Sequence, residues 1–169
     1  KLTDVITSTE NIVTSGNGLY NINNAYIFRG DNVNNYVSFA GKDWRILRVN
    51  EDGTIRLIEL TQRDKVVWDD RYNSDKKSNL GINDYQVSRL KDSLAVAYGE
   101  FSDTDRAYLV KQNLCIGKRN GYETDNSGNL ECSYVAENQA LGLMQLNEFA
   151  LASLDNKCTS PLNAECTNY

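Results

Sequence analysis

Four cysteines, Cys115, Cys132, Cys158 and Cys166, all fall in the last third of this 169-residue chain. Their clustering constrains the fold more than any other feature, because crosslinks fix which segments become neighbours. Four cysteines admit three pairings. The stretch from Cys158 to Cys166 holds Pro161 and Asn163, which favour closing that loop on itself and leave Cys115 for Cys132. The longer segment carries Asn120-Gly121 and Asn126-Ser127-Gly128, turn residues that reverse a chain and set flanking strands side by side. In the loop-entropy account, closures this short are worth about 2.5 and 3 kcal/mol respectively. Structural zinc draws instead on closely spaced pairs such as Cys-x-x-Cys, and no two cysteines here are that close. The spacing favours two short-loop disulfides over free buried thiols or zinc, and these imply an oxidising compartment outside the cytoplasm.

Length points to one domain over residues 1–169, extracellular on the disulfide argument, with 1–24 as an N-terminal arm or the remnant of a helix leading from an anchor. A net charge of -5 argues against nucleic acid, whose phosphates call for a stripe of Lys and Arg. No apolar run approaches the roughly 20 residues that cross a bilayer, so any membrane attachment is expected only through an N-terminal anchor removed before Lys1. The chain is rich in Asn and Tyr, has one Pro and lacks any Asn-X-Ser/Thr sequon, a composition that leans towards bacteria.

After a polar, turn-rich start, short β-branched and aromatic runs separated by Gly, Asp and Asn begin at Tyr26 and read as a meander. Asn50-Glu51-Asp52-Gly53 closes a hairpin between Trp44–Val49 and Thr54–Leu60, with Gly53 supplying the positive φ of its turn. Apolar side chains occupy both parities of those strands, which predicts cover on both faces. The expected cover is a helix over about Asp84–Tyr98, capped through Asn83 and Gln86. Between hairpin and helix, Gln62–Asn79 reads as a charged surface excursion carrying Trp68. Further on, Ala107–Ile116 and Leu130–Tyr134 read as strands reaching Cys115 and Cys132, Leu141–Met144 as a buried strand, and Leu146–Ala152 as a short helix. The expected fold class is α+β: a mainly antiparallel sheet with one principal helix packed on it and two short-loop disulfides.

The chain contains no histidine, which removes Ser-His-Asp and Cys-His catalysis. Paired carboxylates suffice for glycosidases, and Asp69-Asp70 and Asp103 with Asp105 are the candidates. Adjacent carboxylates in a charged stretch read more readily as a solvated face or a helix cap, so no enzyme, cofactor or metal is expected. Asp125–Glu131 offers oxygen ligands around a Gly turn, but it is too short and too weakly charged for an EF-hand, and turn chemistry accounts for it. Trp44 lies in a dense apolar strand and reads as core. Trp68, Tyr72, Asp69 and Asp70 are the candidate ligand contacts, against the plainer reading of Trp68 as part of a satellite cluster.

Five stretches carry a resemblance: Tyr26–Gly30, Asn34–Phe39, Trp44-Arg45-Ile46, Asn50–Ile58 and Leu141–Ala152. They cover under half the chain, and together they resemble secreted or cell-surface pilin-like (type IV prepilin-like) proteins of Gram-positive bacteria. In that group a Thr-Ala-Asp-Glu-like helix start follows Leu-Gly-Leu, where this chain has Met144-Gln145-Leu146-Asn147-Glu148. The resemblance implies an exported, anchored, non-catalytic module that assembles with other surface-protein subunits, and it brings no catalytic residues. The alternative is an adhesin-type module, C-type-lectin-like in shape, that binds a host protein or glycan through loops 62–79 or 120–130.

Overall fold

The computed structural model describes residues 1–61, 63, 65–117 and 129–155. In chain order its regular elements are α1 (Leu2–Ile6), β1 (Gly18–Ile22), β2 (Ala25–Arg29), β3 (Tyr36–Phe39), β4 (Lys42–Val49), β5 (Ile55–Glu59), α2 (Arg89–Gly99), α3 (Asp103–Arg106), β6 (Gln112–Cys115), β7 (Val135–Gln139) and α4 (Leu146–Ala152). The fold is α+β with antiparallel strand pairing in both of its sheets. The chain divides into two compact units, whose described parts are 1–61 with 144–155, and 63 and 65–117 with 129–143. The expected Cys158–Cys166 bridge and most of loop 120–130 lie outside the described residues.

The first unit is a five-stranded sheet. β4 is its spine: β5 pairs along one edge, while β3 and then β2 share the other, with β1 outside β2. Leu19, Ile46, Val49 and Ile6 of α1 form a buried cluster on one face, flanked by Tyr26, Phe28, Val37, Ile55 and Leu57. Strict alternation would send Ile46 and Val49 to opposite faces. The register slips between Ile46 and Arg48, so that Leu47 is an extra residue with no partner on β5. This bulge returns Val49 to the face of Ile46, which explains why the apolar residues of β4 occupy both parities.

The bulge also sets Arg48 opposite Arg56. Like charges across a ladder repel, and the buried Glu148 of α4 neutralises the pair, lying 3.3 Å from Arg48 Nη1 and accepting from Arg56 Nη2 at 3.0 Å. The same carboxylate accepts from the Gln145 backbone N–H at the start of α4, at 2.9 Å. Burial pushes the Arg48 guanidinium below its usual pKa, and Glu148 opposes that shift. At the other end of α4, Arg29 of β2 donates to the carbonyls of Leu151 and Ser153 at 2.9 and 2.7 Å. These are carbonyls that a helix end leaves without partners of its own. Gly30 N–H donates to Ala152 O at 2.8 Å, and at φ +108° its Cβ-free backbone also leaves room for the Asn17 side chain. Thus α4, at the predicted position, packs on this sheet, as does α1 through Ile6, where the expectation was one principal helix over 84–98.

Several expectations for the first unit are corrected. Residues 18–22, read as part of an arm and loop, form β1, joined to β2 by the two-residue turn Asn23-Asn24 with φ of 50° and 63°. Asn tolerates the left-handed conformation that such a hairpin turn demands at both positions. Asn35 stands just outside β3, but its side chain and main chain both bond to Ile46, each at 2.8 Å. The Asn50–Gly53 hairpin forms as expected, with Gly53 at φ +79°.

In the second unit the expected 84–98 helix is a 3₁₀ turn, Tyr85–Val87, followed by α2. The caps are Asp84, which accepts from Gln86 N–H, and Ser88, which accepts from Lys91 N–H, not the expected Asn83 pair. The strand expected over 107–116 is reduced to β6, because Ser102 caps α3 and the N–H groups of Ala107, Tyr108 and Leu109 bond back to the carbonyls of Asp103, Asp105 and Arg106 as a continuing turn. Its partner is β7, while 131–133 make a 3₁₀ turn. Residues 141–144 are not a strand, and Leu143 is exposed. Cys115 at the end of β6 and Cys132 in the turn before β7 form a disulfide, the pairing expected from the intervening turn residues.

Candidate functional site

The candidate contacts Trp68, Asp69, Asp70 and Tyr72 all lie in the second unit, on a segment without strands or helices of its own. Backbone polar groups in such a segment still require partners, and here side chains supply them. Asp69 points inward: its carboxylate, with no exposed surface, takes a hydrogen bond from Arg71 Nε at 2.7 Å and another from Ile82 N–H at 2.8 Å. The Arg71 bond is the chief reason that Asp69 titrates below an ordinary aspartate, and burial works the other way. Gly81, at φ +71°, packs its Cα against the Asp69 backbone where a Cβ would collide with the carbonyl. Buried Asn73 donates to Gly81 O at 2.9 Å, accepts from Lys76 N–H at 3.0 Å, and pairs its main chain with Ser78. The charged excursion is therefore a folded loop whose centre is polar.

Asp70 and Tyr72 face outward. Asp70 meets Arg89 of α2 at 3.3 Å, and Tyr72 is 60% exposed. Trp68 is 37% exposed, with its ring against Tyr85 at a centroid separation of 6.4 Å and its carbonyl accepting from Leu90 N–H at 3.1 Å. It ties the loop to the helix while remaining partly exposed, so the satellite-cluster geometry and the exposed aromatic coexist. The structure thus brings Trp68, Asp70 and Tyr72 to the surface and takes Asp69 away from it. The other carboxylate pair is divided between a salt bridge and a cap: Asp103 binds Arg106 at 2.7 Å, and Asp105 is bonded to Ser102. Trp44 is buried, its indole N–H donating to Phe39 O at 2.9 Å.

Among the described residues no group of three or more His, Cys, Asp or Glu side chains is placed to hold a metal ion, and no helix is long and apolar enough to cross a membrane. Of the Asp125–Glu131 loop, only 129–131 are described, and Glu131 is buried.

One concavity of the second unit escaped the sequence reading. It measures about 220 Å³ and lies between α2 and β7, with Tyr85, Leu94, Tyr98 and Leu141 as its apolar wall and Lys91, Lys111 and Asn138 as polar lining. The pieces come from four separate segments, which no local spacing could have joined. One local signal existed: the polar run Glu137-Asn138-Gln139 holds at its centre a residue type that tolerates positive φ. Comparison of the chain with protein-family models, with curated proteins and with solved structures finds no match.

Proposed function

We infer that the protein is a non-catalytic extracellular module of a bacterial surface or pilus-like assembly, held by two disulfides. The observation that carries this reading is the Cys115–Cys132 bridge, which joins β6 to the turn entering β7. Such a bridge persists where thiols are not kept reduced. Closing its loop stabilises the fold by about 3 kcal/mol. The second bridge, Cys158–Cys166, follows from the same turn logic. The resemblance to type IV prepilin-like surface proteins supports the assembly role. So does α1, whose Leu2 and Val5 are exposed while only Ile6 is buried, an arrangement that offers apolar side chains to a neighbouring subunit.

The test is a thiol titration of the unfolded, unreduced protein purified from an exported form. The expected result is no free sulfhydryl, with Cys115–Cys132 and Cys158–Cys166 peptides recovered after digestion. Four free thiols would remove the extracellular reading. Full bridging in a protein that never joins other surface subunits, as judged by crosslinking on cells, would leave the location standing and remove the assembly role.

A further inference from the structure

Asn138 has φ +56° inside β7, a left-handed conformation in the middle of a strand. The cause is a bulge: from Gln139 to Ala136 β7 advances three residues while β6 advances two, from Gln112 to Leu114. Bulges of this kind re-aim side chains and recur beside binding sites. Asn is among the few non-glycine residues that adopt this region readily, and the Asn138 N–H donates to Asn113 Oδ1 at 3.3 Å. The bulge turns Asn138 to the rim of the concavity between α2 and β7.

The chemistry around that rim is selective. The wall opposite is aromatic and aliphatic: Tyr98, Leu94 and the buried Tyr85, whose hydroxyl donates to Gln139 Oε1 at 3.1 Å. Arg106 stacks on the Tyr98 ring at 5.7 Å from its centroid. Two ammonium groups, Lys91 and Lys111, line the concavity, and among the described residues no carboxylate does, although the chain as a whole carries -5. Lys91 is bonded to neutral groups, the backbone and side-chain oxygens of Gln86, at 3.3 and 2.9 Å. Apolar and aromatic surface with a few convergent polar groups is the common make-up of a small-molecule site. The volume of about 220 Å³ suits a single ring.

We propose that this concavity binds a carboxylated pyranose: the sugar ring lies along Tyr98 and Leu94, its carboxylate faces Lys111 and Lys91, and a hydroxyl takes the Asn138 amide. The inference goes beyond the assembly role and stands or falls without it. A carboxylated pyranose reaches a cell surface either as a uronic acid of a polysaccharide or as a sialic acid of a host glycan, and the two are distinguished by measurement.

The test is an amide chemical-shift titration of the disulfide-intact chain with glucuronate, N-acetylneuraminate, glucose and acetate. Saturable shifts at Tyr98, Lys111 and Asn138 are expected with at least one sugar acid, and the tighter of the two names the source. Glucose and acetate should each bind about 10-fold more weakly, since each lacks one half of the recognition. Lys111→Gln, on the surface and safe for folding, should weaken the sugar acid by about 3- to 10-fold. Asn138→Gly, which keeps the positive φ without strain, should weaken it by about 3-fold. The proposal is overturned by an absence of saturable shifts at the cleft with both acids, by glucose or acetate binding as tightly as they do, or by an unchanged affinity in Lys111→Gln.

Discussion

The two units solve the same problem in opposite ways. In the first, strands are aligned chiefly by apolar side chains, with Lys42–Glu59 as an ion pair between β4 and β5, and buried charge fastens a helix: Glu148 against Arg48 and Arg56, and Arg29 against the carbonyls closing α4. In the second, residues 65–88 have little regular structure, and buried polar groups organise them: Asp69, Asn73 and Ser88 each satisfy backbone groups from several residues away or from the next helical turn. Burial is non-directional and tolerant, whereas a hydrogen-bonded hub works only with its partners in place. The difference teaches where each unit is fragile.

The largest expected effect is in the first unit. Leu19 is among the most deeply buried side chains of the sheet. Leu19→Ala removes transfer energy and leaves a cavity, so the opening free energy of amides in β1, β2 and β4 should fall by about 3 kcal/mol in hydrogen exchange. A loss below about 1 kcal/mol would mean that apolar packing does not carry this unit and would collapse the contrast.

The second unit should respond to pH instead. Asp69 titrates below its unfolded value, chiefly through its bond from Arg71. The folded loop therefore gains stability above the unfolded carboxylate pKa, and it loses that stability as pH falls through the folded value. In a pH titration the indole N–H resonance of Trp68 should shift as the loop loosens below the ordinary aspartate range. Asp69→Asn should abolish the dependence and loosen the loop at neutral pH as well. An identical profile in wild type and Asp69→Asn would remove Asp69 as the hub.

The contrast also decides what could be read in advance. Strands of the first unit announce themselves because β-branched and aromatic runs alternate with turn residues over short distances, as in Trp44–Val49, Gly53 and Ile55–Glu59. What escaped there was conformational: a turn made by Asn23-Asn24 looks like loop sequence until its φ values are known. In the second unit the Cys115–Cys132 pairing was legible from turn residues. The inward turn of Asp69 was not, because adjacent Asp69-Asp70 are chemically alike and only the position of Arg71 and Ile82 separates them. The concavity lined by Tyr98, Lys111 and Asn138 was illegible for a related reason, since its residues meet only after the second sheet has formed.

The smallest effect sharpens the comparison from inside the better-packed unit. β3 and β4 are joined by Ala40-Gly41, with Phe39 paired to Lys42 and φ of 52° and 71° at the two turn residues. Positive φ at both positions is the twist that suits a two-residue hairpin. Gly41 adopts it freely, but Ala40 sets its Cβ against the backbone at a cost of about 1 kcal/mol. Ala40→Gly relieves that strain and gives back part of the gain through a freer unfolded chain, so the net stabilisation should be about 0.5 kcal/mol by denaturant unfolding. Ala40→Asn should do at least as well, because Asn tolerates the conformation without loosening the unfolded state. If both substitutions were destabilising, the turn would not be left-handed at Ala40, and the described left-handed positions of the apolar unit would be held by Asn and Gly alone, as at Asn23 and Asn24.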